Sequence, residues 1–306
     1  MIAKRWQKTT LSVISAALAL AMVAAGVVTR AKAHELITNP VQTRRMPHQT
    51  PSDYQLPFED LTIAAADGLK LAGWFVPSHN GAVIIFVHGY KDHRGSMLGA
   101  AAMYARHGYG VLLASVRAHD RSEGERLSFG HEEMKDLDAW YRFVASHDGV
   151  DLSRIAILGV SMGGSLAIQY ASENPRLAAV IADCAFSSLN DTVETSVRYF
   201  TGLPPFPFAP MIRFWAEREG GFSFAEIDAK KWIGRISPRP VFLMQGGADV
   251  VVSPASGHAL YEAAGQPKEL WFEPTLGHAR FFDERQQEYE RRVVGWVDGY
   301  LKVPGS

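Results

Sequence analysis

From residue 60 onward the chain alternates short, wholly apolar runs with longer stretches in which apolar residues recur every three or four positions. The runs at 82–87 (AVIIFV), 111–115, 155–160, 179–182 and 241–244 are of the kind expected of parallel strands covered on both faces. Two β-rich runs, 61–65 and 69–76, flank Asp67-Gly68, a hairpin signal, and 270–272 is the expected last strand. Helical patterns fall between them at 96–107, 131–147, 163–172, 254–264 and 281–301. This alternation predicts an α/β fold, a mostly parallel eight-stranded sheet with helices on both faces. Residues 186–236 interrupt the alternation and are expected to form a small cap insertion.

The first 33 residues follow a different pattern. Lys4, Arg5 and Lys8 precede a charge-free run over 11–28, and Ala31-Lys32-Ala33 follows it ahead of His34. A basic patch, an apolar run and a small-residue site describe a secretory signal peptide. An uncleaved membrane anchor is the alternative. The run has 18 residues, the lower edge of a bilayer span, and Arg30 and Lys32 stand directly after it. A buried core helix is disfavoured because the run has no polar face. Either reading predicts export, to a periplasmic or other extracytoplasmic location, with membrane association through this segment in the second case. Pro40, Pro47, Pro51 and Pro57 mark 34–59 as an extended linker, leaving 60–302 as the main domain.

Composition narrows the class. Hydrophobic residues make up 47% and charged residues 21%, enough for a full core and incompatible with disorder. The net charge is -1, so no basic excess points to nucleic acid. Without the five basic residues of 1–33, the body carries 26 basic against 32 acidic side chains. The single cysteine, Cys184, cannot form an internal disulfide, and zinc sites that need two cysteines are excluded.

In a parallel sheet, ligands bind beyond the carboxyl ends of the strands, so the residues just after each strand carry the information. After 155–160 comes Gly159-Val160-Ser161-Met162-Gly163. A G-x-S-x-G turn between strand and helix raises a serine hydroxyl above the sheet. Such a serine needs a base held by a third group, in the chain order Ser, acid, His. Asp249 follows 241–244, and His278 follows 270–272. Asp183 is the rival acid, and His258 and His119 are the rival bases, although neither lies downstream of the final strand. Backbone N–H groups of Met162 and Tyr90 are expected to form an oxyanion hole, with His88 a structural loop residue. Within the insertion, Phe206, Phe208 and Trp215 belong to a proline–aromatic cluster that is expected either to line an apolar pocket or to pack the cap. No metal-ligand spacing, P-loop or dinucleotide fingerprint is present, and no cofactor or metal is expected.

These stretches resemble the α/β-hydrolase superfamily, in the bacterial branch of single-domain esterases and the serine aminopeptidase and dipeptidyl-peptidase-like families. The resemblance covers about residues 60–302 and rests on HGYKDHRGSM (88–97), HGYGVLLASVR (107–117), ILGVSMGGSLA (157–167), QGGADVVVSP (245–254) and LGHAR (276–280). It implies a serine hydrolase with Ser161 as nucleophile, His278 as base and Asp249 as acid, acting on a small-molecule ester or peptide. Esters with an apolar acyl group are the expected substrates, with amides and thioesters as alternatives. A non-catalytic envelope binding protein on the same scaffold is the reading from outside enzymology. One loop departs from the family pattern D-x-R-G-H-G-x-S-x-G: Ser115, Ala118 and Asp120 replace Asp, Gly and Gly. Extra polar side chains are therefore expected near the mouth of the site.

Overall fold

The computed structural model of the chain describes residues 2–301; the expected domain end at residue 302 lies outside the described residues. Eight strands form one sheet: β1 (Glu59–Ala64), β2 (Lys70–Val76), β3 (Val83–Val87), β4 (Gly110–Ala114), β5 (Ile155–Val160), β6 (Ala179–Asp183), β7 (Val241–Gly246) and β8 (Lys268–Glu273). Their order is β1-β2-β4-β3-β5-β6-β7-β8. Only β2 runs antiparallel to its neighbours; the other pairs are parallel. The expected strands are all present, with bounds within two residues. All five residues of β3 and of β4 are buried, as their unbroken apolar runs require.

The helices are α1 (Ile2–Ile37), α2 (Leu98–Arg106), α3 (Glu133–Ser146), α4 (Met162–Glu173), α5 (Leu189–Thr201), α6 (Pro205–Gly220), α7 (Ala229–Ile233) and α8 (Ala255–Ala263), followed by α9 (Phe281–Glu284), α10 (Gln286–Tyr289) and α11 (Gly295–Leu301). On one face of the sheet, α3, α4, α7 and α8 share a core with α5, α6 and the end of α1. On the other face α2 packs with the C-terminal helices. The single helix expected over 281–301 is broken at Arg285, and a π-helical turn (Glu290–Val294) precedes α11. The wide turn takes up one extra residue, and consecutive Val293 and Val294 are both buried.

The expected insertion contains α5, α6 and α7. α5 begins at Ser188, whose hydroxyl accepts from Asp191 N–H, and ends at Gly202 in the left-handed region (φ 71°). The segment expected to be an extended linker is docked on the body instead. α1 continues through Ile37, and 3-10 turns occupy Val41–Thr43 and Pro51–Tyr54. Asn39 N–H donates to Glu125 O at 2.8 Å, and the Arg44 guanidinium donates to Ser122 O at 2.6 Å. The second of these bonds satisfies the carbonyl of buried Ser122, in the 115–124 loop, which would otherwise be orphaned.

That loop also differs from expectation. Ser115, Ala118 and Asp120 are buried and do not line the site mouth. Ala118 (φ 60°) and Asp120 (φ 51°) hold the left-handed backbone that glycine would adopt freely. Asp120 compensates with its side chain: Oδ2 lies 2.9 Å from Arg94 Nε and accepts from Ser115 Oγ at 3.1 Å. Both ion-pair side chains are fully buried, and the Arg94 guanidinium also sits 4.3 Å from the centre of the Trp74 ring. Asp120→Ala takes away the buried partner of Arg94 and leaves it only half-exposed Asp60, 3.3 Å away, which is expected to cost about 3–5 kcal/mol. At 2–4 °C per kcal/mol the melting temperature falls by roughly 6–20 °C, measured by calorimetry.

Candidate active site

The sharpest turn in the sheet follows β5. Ser161 has φ 56° and ψ −118°, outside the regions L-residues favour, and α4 starts at the next residue. The turn is possible because no side chain projects two residues to either side, at Gly159 and Gly163. A Cβ at Gly159 would sit 2.0 Å from Gly163 O, and one at Gly163 would sit 2.1 Å from Val87 O. Helix α4 can therefore begin against the end of β3, and the serine hydroxyl is lifted clear of the sheet.

Three strand ends then bring three side chains together. His278, in the loop after β8, has Nε2 2.9 Å from Ser161 Oγ. Its Nδ1 lies 2.6 Å from Asp249 Oδ2. Asp249, after β7, has a fully buried carboxylate whose Oδ1 accepts from Val251 and Val252 N–H at 2.8 and 2.9 Å. One oxygen thus fixes the loop while the other faces the imidazole. With Nδ1–H donated to a carboxylate, Nε2 presents a lone pair to the hydroxyl, the arrangement that activates a serine. Cys184 Sγ, Asp249 and His278 lie within 4.8 Å of one another. Burial pushes the Cys184 thiol up, and the sulfur accepts from Ala279 N–H, so this set of donors suits proton handling better than metal ligation.

A cavity of about 260 Å³ adjoins Ser161. Gly89, Tyr90 and Met162 line it, and among the described residues the Tyr90 and Met162 N–H groups donate to no protein acceptor. His88 and His119, their rings tilted at 53° with centres 4.6 Å apart beneath this loop, are both buried. Desolvation lowers both below the ordinary histidine range and keeps them neutral. His119 donates from Nδ1 to Arg117 O and accepts Lys91 N–H at Nε2, 3.0 Å away, so it holds the Tyr90 loop rather than contacting Ser161. His258 lies on α8 with its ring 4.8 Å from that of Phe272.

The aromatic residues expected at the pocket lie elsewhere. Phe206 is exposed, Phe208 packs half-buried against the core, and Trp215 sits between α6 and α1 with the Arg30 guanidinium 5.7 Å from its ring centre. None of the three lines the cavity at Ser161. Phe129, Phe186, Leu189, Val193, Tyr199 and Phe200 do. Leu189, Val193 and Phe200 recur at helical spacing on α5, a stripe that identifies the inward face from sequence. Leu36 and Arg45 also line the cavity, and Tyr90 Oη donates to Leu36 O at 2.8 Å. No sequence signal marked these two, because their segment reads as a linker until it docks.

Residues 78–208 match the sequence profile described as "Serine aminopeptidase, S33". The Bacillus subtilis protein YqkD is 27% identical over 242 residues, covering 77% of this chain and 78% of the relative. The Arabidopsis thaliana α/β hydrolase domain-containing protein WAV2 is 27% identical over 225 residues, covering 70% of this chain and 69% of WAV2. Among solved structures, the Pyrococcus furiosus esterase Pf2001 superposes with a TM-score of 0.74 at 26% identity, over 87% of this chain and 98% of the esterase.

Asp183, the alternative acid, makes no hydrogen bond to His278. It ends β6 fully buried, with Oδ1 unpartnered, and burial pushes its carboxyl up to about 7. In the unfolded chain an aspartate ionises near ~4. Between those values the folded protein holds a proton that the unfolded chain has lost, so this group makes stability fall as pH rises through that window. Asp183→Asn removes the dependence. The variant is expected to melt above the wild type at pH 8, with the difference closing toward pH 4, in calorimetry across that range.

Proposed function

The chain belongs to the α/β-hydrolase superfamily, and from that premise we propose that it is a serine hydrolase that cleaves carboxylic esters through an acyl-enzyme. One observation carries the reading: the unbroken chain of hydrogen bonds from Ser161 through His278 to buried Asp249. In this mechanism Ser161 Oγ attacks the ester carbonyl while His278 Nε2 takes the hydroxyl proton. Tyr90 and Met162 N–H receive the oxyanion, which their lack of protein acceptors leaves them free to do. His278 returns the proton to the departing alcohol and then draws one from the water that releases the acid. Asp249 holds the imidazole tautomer and balances its transient charge.

The pocket supports an ester with an apolar acyl group. Its walls are aromatic and aliphatic, and among the described lining residues the one carboxylate is Asp92, with Arg45 in the same wall. An aminopeptidase needs anionic groups placed to hold a protonated amine, which makes the peptide reading second despite the matched profile. The likeness to the Pf2001 esterase, over 87% of this chain, supports the same reading.

Ala31-Lys32-Ala33 lies inside continuous helix α1 with Ala33 buried, which supports an uncleaved anchor over a removed signal peptide. The body is then held at a membrane, on its extracytoplasmic side.

Phe200→Ala tests the pocket. A p-nitrophenyl ester series from acetate to decanoate should show kcat/KM falling roughly tenfold or more for the long chains and little for acetate, since one methylene of pocket contact is worth about 10–200-fold at most. A matched panel of aminoacyl-nitroanilides should give no comparable turnover. Asp249→Asn, which favours the wrong histidine tautomer, should lower kcat by about 10⁴-fold. Anilide turnover exceeding that of every ester would replace the ester reading with the peptidase one.

A further inference from the structure

Helices α1 and α6 lie side by side and run in the same direction. Ile37 packs against Gly220, His34 bonds Glu219, and Arg30 stands over Trp215. Going back along α1 from Ile37 to His34 to Arg30, the partners on α6 also run backwards, from Gly220 to Glu219 to Trp215. Contact continues to Ala25 and Gly26, which are half-buried, and from Thr10 to Ala24 α1 is exposed. The first turns of α6 are therefore level with the apolar run at 11–28, not with the polar residues that follow it.

Before Ala25 that run is exposed on every side. Leu11, Ile14, Leu18, Leu20, Met22 and Val27 lie around the helix, all largely exposed. At 1.5 Å per residue its 18 residues span about 27 Å, close to the hydrocarbon thickness of a bilayer. A protein partner would cover one stripe and leave the opposite face polar. A helix apolar all round is covered by hydrocarbon.

The cap presents its own apolar edge along this end of α1: Phe206 is level with the run, Phe214 neighbours Trp215 beside Arg30 just after it, and Phe200 stands against Tyr90, which bonds Leu36. Tyr199, Phe200, Phe206 and Phe214 are 58%, 50%, 82% and 56% exposed. They come from the end of α5 and from α6, the helix that lies along α1. Arg30, Arg198 and Arg218 are exposed on these three helices, as residues meeting headgroups would be. Tyr199 and Phe200 also line the cavity at Ser161, so the edge and the mouth of the cavity coincide. A second cavity of about 570 Å³ shares Leu36, Tyr90, Val193 and Phe200 with the first and extends it toward α1.

We propose that the aromatic edge of the cap rests in the interface of the same bilayer that α1 spans, so that the cavity at Ser161 opens on lipid and takes the acyl chain of an amphipathic ester from the membrane. The docking stands on geometry alone, whereas the substrate class rests on the ester-hydrolase reading above.

The experiment uses the full chain reconstituted in phosphatidylcholine–phosphatidylglycerol vesicles with brominated acyl chains. Phe206→Cys, Phe214→Cys and Arg142→Cys, the last on the exposed face of α3, are each labelled with a nitrobenzoxadiazole dye; Cys184 is buried and stays unlabelled. Docking predicts bromine quenching at 206 and 214 and none at 142. Labels at 206 and 214 as unquenched as the one at 142 would overturn it. In the second arm, Phe214→Asp is expected to slow hydrolysis of a long-chain fluorogenic ester carried in the vesicles by roughly tenfold or more, while turnover of soluble p-nitrophenyl acetate and the melting temperature stay unchanged. Equal turnover of the vesicle-borne ester by variant and wild type would overturn delivery from the bilayer. If the wild type hydrolyses neither ester, the ester reading fails, and the quenching alone decides the docking.

Discussion

Ser161 stands above the sheet only because no Cβ projects at 159 or 163. A methyl group at either would run into backbone, Gly163 O in one case and Val87 O in the other. Backbone cannot yield as the tip of a flexible side chain can. The left-handed conformation of Ser161 is thus held by β3, β5 and α4 together, and its strain is borne by packing remote from the hydroxyl. Asp249 and His278 are placed by β7 and β8, the two strands beyond β6, so the geometry of the site is a consequence of sheet order.

Around this rigid centre the remaining parts are held by buried polar contacts. His119 bonds the loop that presents Tyr90, and Arg44 bonds the loop that contains His119 and Asp120. Asp120 with Arg94 occupies a turn whose backbone would suit glycine. Each of these groups is buried, so a broken contact strands a donor or a charge in the core rather than returning it to water. The last turn of α1 and the segment after it are part of this network, and their Leu36 and Arg45 form a wall of the cavity. Membrane association and pocket shape are in this way properties of one continuous stretch of chain.

The parallel strands and the three site positions were legible in the sequence because their causes are local. Continuous apolar runs mark buried strands, and Gly159 and Gly163 mark the turn. Asp249 and His278 follow from position after a strand. What stayed hidden depends on tertiary contact. The proline spacing of 34–59 reads as a tether, and only the partners of Asn39 and Arg44 reveal it as docked. Phe206, Phe208 and Trp215 draw attention by composition, yet the inward face of the cap is the α5 stripe containing Val193 and Phe200. Asp120 reads as an added polar group at the site mouth until Arg94, 26 residues earlier, is found beside it.

The account rests on Ser161 as the nucleophile, and covalent trapping tests this most directly. The full chain is treated with a fluorophosphonate, digested and mapped by mass spectrometry. The expected result is a single phosphonyl adduct on the peptide carrying Ser161, formed in the wild type, strongly slowed in His278→Ala and absent from a folded Ser161→Ala. An adduct on another residue, or equal labelling of Ser161→Ala, would contradict the account.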